Sequence, residues 1–151
     1  MADVTITRLI DRLGLEPLKE GGMGVKVYTH RSGSSLLGTT SYVLVTDSCR
    51  QVLHRLSSEQ TWCYLEGSDA RQLVLLPDGG WRHYDLGLAS EGKKAISIVP
   101  AGCWQAVESD GWALFSVLSV PPAKLEETQL WDKTLAPGWD CKELAGFGGE
   151  K

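Results

Sequence analysis

Ile96-Ser97-Ile98-Val99-Pro100-Ala101-Gly102-Cys103-Trp104-Gln105 reads as a strand, a rigid Pro-x-Gly turn and a second strand that re-enters the sheet. Outward from this stretch the same period of two recurs in short runs rich in Val, Ile, Thr and Tyr and bounded by Gly, Pro, Asp and Ser. These runs cover residues 25–31, 39–46, 51–54, 60–66, 72–76, 81–86, 96–99, 103–107 and 112–120. Regular short strands predict an antiparallel barrel or sandwich. Pro77-Asp78-Gly79-Gly80 is the clearest hairpin, because Asp-Gly tolerates the positive φ angles of a tight turn. Ahead of the strands, Ile6, Leu9, Ile10 and Leu13 stand at helical spacing, with Asp3 as N-cap and Gly14 as the stop. Past Val120, Pro121-Pro122 ends the last strand, and residues 124–131 read as polar loop or a short helix before Pro137-Gly138.

At 151 residues the chain fits one domain and supports a core without staples. We divide it into an N-terminal helix and loop (1–24), a barrel (25–120) and a C-terminal extension (121–151). The formal charge of -4 and scattered Lys and Arg argue against nucleic acid as a partner. No apolar run approaches the roughly 20 residues that span a bilayer, and the N-terminus lacks a signal-peptide pattern, so no membrane partner and a cytoplasmic location are expected. Cys49, Cys63, Cys103 and Cys141 stand far apart and read as reduced packing residues.

Two segments carry a family resemblance. Pro100-x-Gly102-x-x-Gln105 resembles the second cupin motif, P-x-G-x-x-H, with Gln in the His position. His54-Arg55-Leu56-Ser57-Ser58-Glu59-Gln60 resembles the first, H-x-H-x(3)-E, with Leu for the second His and Gln for the Glu. Together with Glu20-Gly21-Gly22, the extension to Trp62, and Ala136-Pro137-Gly138-Trp139, they make the chain similar to the small cupins of cupin family five over residues 9–145. The stretch 121–133 looks like an insertion relative to that pattern. The resemblance implies an all-β cupin double-stranded β-helix, a jelly-roll barrel, behind a short N-terminal helix.

Metal-binding cupins usually present two or three His and one Glu to a divalent ion. Of those positions only His54 keeps the usual ligand, since Leu56 cannot ligate and the amides of Gln60 and Gln105 bind first-row metals weakly. No metal and no other cofactor is therefore expected, with a metal-dependent cupin enzyme of reduced ligand set as the less favoured alternative. The resemblance implies that Gln60 and Gln105 face into the barrel, and strand alternation puts Trp62, Tyr64 and Glu66 on the face of Gln60, and Cys103 and Val107 on that of Gln105. A pocket built from His54, Gln60, Gln105, Trp62 and Glu59 would combine directional hydrogen bonds with a flat apolar wall and suit a small polar or carbohydrate-like metabolite. The plainer alternative is that the buried Gln and His side chains satisfy one another and the backbone.

A further implication concerns catalysis. Metal-free deoxysugar epimerases of the cupin superfamily are similar in using a His at the first motif position as base beside a Tyr acid. On that reading His54 is the base and Tyr64 the acid, with Tyr28 and Tyr42 as alternatives and Glu59 or Glu66 as the orienting carboxylate. His30 and His83 read as residues of a solvated face. Trp104 and Trp112 are expected in the core or a subunit interface. An exposed edge at 25–31 needs covering, which makes a symmetric homodimer the expected assembly.

Overall fold

The computed structural model describes residues 4–123 and 127–131. Helix α1 (Val4–Leu13) is followed by β1 (Glu16–Pro17), β2 (Met23–Ser32), β3 (Ser35–Thr46), β4 (Gln51–Arg55), β5 (Glu59–Gly67) and β6 (Ala70–Leu75). Then come β7 (Trp81–Leu86), β8 (Ile96–Val99), β9 (Trp104–Ser109), β10 (Trp112–Val120) and β11 (Gln129–Leu130). Two antiparallel sheets form, ordered β1-β2-β3-β10-β5-β8 and β11-β4-β9-β6-β7. The all-β architecture behind a short helix is the one that the strand periodicity predicts. Asp3, Cys141, the Ala136 to Trp139 segment and most of the 121–151 extension lie outside the described residues.

The main core fills the space between the sheets. Val43, Val45, Trp62, Val99, Phe115 and Val117 come from the first sheet, and Ala70, Val74, Leu86 and Val107 from the second. Trp62 and Phe115 meet edge to face at 5.2 Å, a preferred geometry for aromatic quadrupoles. On the outer side of the first sheet, Ile6, Leu9, Ile10 and Leu13 of α1 pack over Leu44 and Leu114, with Trp112 beside them. Gly14 ends that helix with φ 73°, its N–H returning to Ile10 O. On the outer side of the second sheet, Trp104 is buried with Leu53, Leu73, Leu75 and Ala106. Arg55 lies over its ring, and Trp131 meets it edge to face. Trp104 and Trp112 are thus packing residues within one chain.

The two motif turns are tied to each other. Cys103 N–H donates to Pro100 O at 3.2 Å and Gly102 has φ 82°, a type II turn with its glycine at the required position. Gly102 N–H then donates to Leu56 O at 3.0 Å, so the second motif is anchored on the first. The Asp78-Gly79 hairpin also forms where expected, with Asp78 Oδ1 accepting from Gly80 N–H at 2.8 Å.

Three differences from the sequence reading have simple causes. β3 starts at Ser35 rather than residue 39, because Ser35-Leu36-Leu37-Gly38 lacks alternation yet pairs along the protruding β2–β3 hairpin. β5 carries a bulge at Leu65, which turns Glu66 away from the face of Gln60 and leaves it exposed. Beyond Val120 a further short strand joins the edge of the second sheet, since Gln129 and Leu130 pair with Arg55 and His54 where a polar loop or helix was expected.

Candidate functional site

A row of polar side chains crosses the barrel interior between the sheets. Ser97 Oγ donates to Gln72 Oε1 at 2.6 Å, Gln72 Nε2 to Gln105 Oε1 at 3.4 Å, and Gln105 Nε2 to Gln60 Oε1 at 2.6 Å. Gln60 Oε1 also accepts from Trp62 Nε1 at 3.2 Å, and Gln60 Nε2 donates to Ser119 Oγ at 3.0 Å. All of these residues are buried. Each amide orientation is dictated by the next, so the row is a satisfied chain in which a buried polar group costs little. Gln60, Trp62 and Gln105 do come together inside the barrel, but their polar atoms are engaged with one another.

His54 stands beside Gln105 in the sheet register and is 1 % exposed. Its Nδ1 lies 2.8 Å from Val52 O, which fixes a proton on Nδ1 and leaves Nε2 as a lone-pair acceptor. Burial pulls its pKa below the usual 6.5, against the opposing charge of Glu20 and the Val52 hydrogen bond. The imidazole is therefore neutral at pH 7.

Glu20 is a member of this site that the sequence reading quoted without a role. Gly21 has φ 98° and pairs with Gln51, and a Cβ on it would lie 2.1 Å from Arg50 O, so only glycine lets the chain approach β4 this closely. Gly22, at φ 72°, packs on Gln51 Cγ and Leu44 O in the same way. Glu20 O then accepts from Val52 N–H at 2.8 Å, and the Glu20 side chain lies close enough for its charge to act on His54. The Glu20-Gly21-Gly22 segment was the available signal. Gln72, Ser97, Ser119 and Gln51 were also missed, because in the sequence they read as ordinary strand residues.

Other predicted members lie elsewhere. Glu59 is exposed on the outer face of β5, as the reversal one residue from Gln60 requires. Tyr64 packs edge to face on Phe115 at 5.9 Å and donates its hydroxyl to Gly67 O, at the far end of β5 from Gln60. Burial and the nearby carboxylates of Asp69, Glu91 and Glu66 raise its pKa. Tyr28 is 60 % exposed on the outer side, and Tyr42 packs in the cluster under α1. His30 meets Thr40 Oγ1 at 2.6 Å and Tyr28 edge to face, while His83 is exposed. Cys49 and Cys63 are half-buried and Cys103 buried, all as free thiols.

Two hollows of about 400 and 380 Å³ lie at the other end of the barrel, between the turns at 47–50, 67–69 and 110–111. Arg50, Glu108, Arg71 and Asp110 form a run of ion pairs across their walls, which spends the local charge internally. The Arg71–Asp110 pair, exposed at its carboxylate, contributes little to stability.

The divalent ion common among cupins does not fit the positions that would hold it. They are occupied by His54, Leu56, Gln60 and Gln105, and both glutamine oxygens already accept hydrogen bonds from neighbouring side chains. Among the described residues, no three His, Cys, Asp or Glu side chains gather as a metal site. No helix of the described residues is long and apolar enough to cross a membrane.

Comparison with known proteins agrees with this architecture. A hypothetical protein from Leishmania major is similar over 95 % of this chain and 98 % of its own, at 23 % identity and a TM-score of 0.82. A Shewanella oneidensis protein solved by structural genomics is similar over 100 % of both chains, at 21 % identity and a TM-score of 0.82. Oxalate decarboxylase from Bacillus subtilis shares the fold at 18 % identity and a TM-score of 0.57, with the match covering 92 % of this chain and 38 % of that one. No curated protein matches the chain. The profile of the DUF985 family of the cupin superfamily matches residues 7–145, and the chain belongs to that family.

Proposed function

We propose that this cupin binds a small polar metabolite at the His54 side of its barrel, as a single-domain protein that uses no metal. The observation that carries the reading is the His54 imidazole, buried, neutral, fixed in one tautomer by Val52 O and set beside Glu20. Such a group is a preorganised acceptor with no internal use among the described residues. A satisfied amide chain behind it, running through Gln105, Gln60 and Trp62, gives the site a rigid polar floor. The metal-free part of the reading rests on the donor set, in which one imidazole stands where a cupin ion needs three or four ligands.

A thermal-shift screen of nucleotide sugars and small acids, run on the wild type and on His54→Ala, tests the proposal. A ligand that stabilises the wild type and not the variant supports it. One that stabilises both equally removes His54 from the site.

A second reading, a metal-independent epimerase or isomerase with His54 as general base, is favoured by the same neutral imidazole with a carboxylate alongside. In that case Val52 O orients the ring through Nδ1–H, the charge of Glu20 favours the imidazolium that forms, and Tyr64 serves as acid only by leaving Gly67 O. Deuterium uptake at the carbon α to a carbonyl, followed by NMR in D₂O, separates catalysis from binding. Uptake that persists in His54→Ala counts against the base.

The homodimer belongs to the same proposal, in a protein acting in the cytoplasm. The edge of β2 pairs with β1 only at Met23 and Gly24, and beyond it Val27 and Tyr28 are 55 % and 60 % exposed. Two such edges meeting antiparallel about a two-fold axis would close on themselves. Light scattering reads the mass, and a Val27→Lys variant that leaves a dimer intact excludes this edge.

A further inference from the structure

Three buried residues with a hydrogen-bond acceptor sit on the two segments that meet where the double glycine pairs with β4. Glu20 Oε1 and Gln51 Oε1 are both buried and have no hydrogen-bond partner among the described residues. His54 Nε2 is the third, because Nδ1 holds the proton given to Val52 O. The backbone brings these segments together: Glu20 O accepts from Val52 N–H, Gly21 pairs with Gln51, and His54 is three residues beyond Gln51 on the same strand. Glu20 is 8 % exposed and forms no ion pair among the described residues, Lys19 beside it being turned to Thr128 O. A carboxylate so placed keeps its desolvation cost until a cation or a donor arrives.

We propose that this cluster holds the primary ammonium group of a small amine. The inference rests on the small-molecule reading above and specifies its ligand. An ammonium brings three donors and one positive charge, and the cluster offers a carboxylate oxygen, an imidazole nitrogen and an amide oxygen to receive them. Sugar hydroxyls match it less well, since none neutralises Glu20. A divalent ion matches less well again. It would leave one charge unbalanced, and it would depend on one imidazole and one carboxylate plus an amide oxygen of low affinity.

The test uses thermal shift and calorimetry on the full chain, at constant ionic strength, with methylammonium and ethanolamine as probes. Ethylene glycol, glucose, manganese and zinc chlorides are the comparators. Both amines are expected to raise Tm in a saturable way, ethylene glycol is not, and Glu20→Gln is expected to weaken amine binding by about tenfold or more. If Glu20→Gln does not fold, Glu20→Asp, which keeps the charge and shortens its reach, replaces it. The comparison of ethanolamine with ethylene glycol on the wild type needs no variant. Glucose that binds through His54 as well as the amines do would overturn the ammonium and leave the small-molecule site standing. A saturable shift with zinc or manganese and none with the amines would replace the amine by a metal. No shift with either amine would mean that water fills the cluster, and the proposal falls. A polar-metabolite screen that is also blank would take the small-molecule reading with it.

Discussion

Replacing Gln60 with leucine puts a number on the amide chain. Gln60 Oε1 accepts from both Trp62 Nε1 and Gln105 Nε2, and Gln60 Nε2 donates to Ser119 Oγ. Leucine has a similar volume and none of these groups, so Gln60→Leu strands two buried donors and weakens a third contact. A buried polar group left without its partner costs about 1–3 kcal/mol, and the better apolar transfer of leucine offsets part of that. We expect a loss of about 3–5 kcal/mol, a large share of the ~5–15 kcal/mol that holds a domain together. For a chain of this size that is a fall in Tm of about 6–20 °C. Differential scanning calorimetry reads it directly. The double variant Gln60→Leu with Gln105→Leu removes the Gln105 donor along with its acceptor and is expected to lose less than the two single losses combined. A Tm within about 3 °C of wild type for Gln60→Leu would refute the reasoning, because it would mean that water or a displaceable ligand, rather than the protein, satisfies these groups.

Other outcomes follow from the same geometry. The folded-state pKa of His54 is depressed, so the unfolded chain binds the extra proton first as pH falls below 6.5; stability is full above that value and declines below it, and urea titrations from pH 7.5 to 5 should show a smaller decline in His54→Gln. Gly21→Ala meets Arg50 O and a φ of 98°, which should cost about 2–4 kcal/mol and displace Glu20; a Tm equal to wild type would show that the close approach is not needed. Cys103 is 2 % exposed and burial raises its thiol pKa, so at pH 8 an aromatic disulfide reagent should modify Cys49 and Cys63 well before it, as mass spectrometry of the labelled peptides can show.

Much of the barrel is legible in the sequence because nine short runs rich in strand-forming residues are bounded by turns that carry Gly, Pro, Asp and Ser. What escapes the reading depends on partners far away in the chain. β1 and β11 are two-residue strands whose existence comes from pairing with Met23, Gly24, Arg55 and His54 rather than from their own composition. The bulge at Leu65 leaves no mark in a run of alternating residues, yet it decides that Glu66 leaves the barrel face. At the site, His54, Gln60, Trp62 and Gln105 could be placed by alternation and motif. Glu59 and Tyr64 could not, since exposure on one side and a hydroxyl committed to Gly67 are facts of register. Glu20 was hidden for a different reason. A double glycine announces an unusual backbone, but which neighbour requires it, here Arg50 O, appears only when the strand lies against it.

Hydrogen-bond accounting separates what holds this barrel together from what it does. An ion in the interior would satisfy the side chains around it from one centre. Amides in those positions need a donor for each acceptor, and Ser97, Gln72, Gln105, Gln60, Trp62 and Ser119 supply them to one another. Because that chain is closed, a ligand reaching it must break bonds worth as much as those it makes, and binding there gains little. Among the described residues Glu20 Oε1 and Gln51 Oε1 have no partner, and His54, on the same strand as Gln51, keeps Nε2 as an acceptor. Any molecule that donates to them gains its hydrogen bonds without first breaking others in the protein. Affinity should therefore concentrate at the Glu20 edge of the barrel, with substitutions in the amide chain acting on stability and substitutions at Glu20, Gln51 or His54 acting on binding.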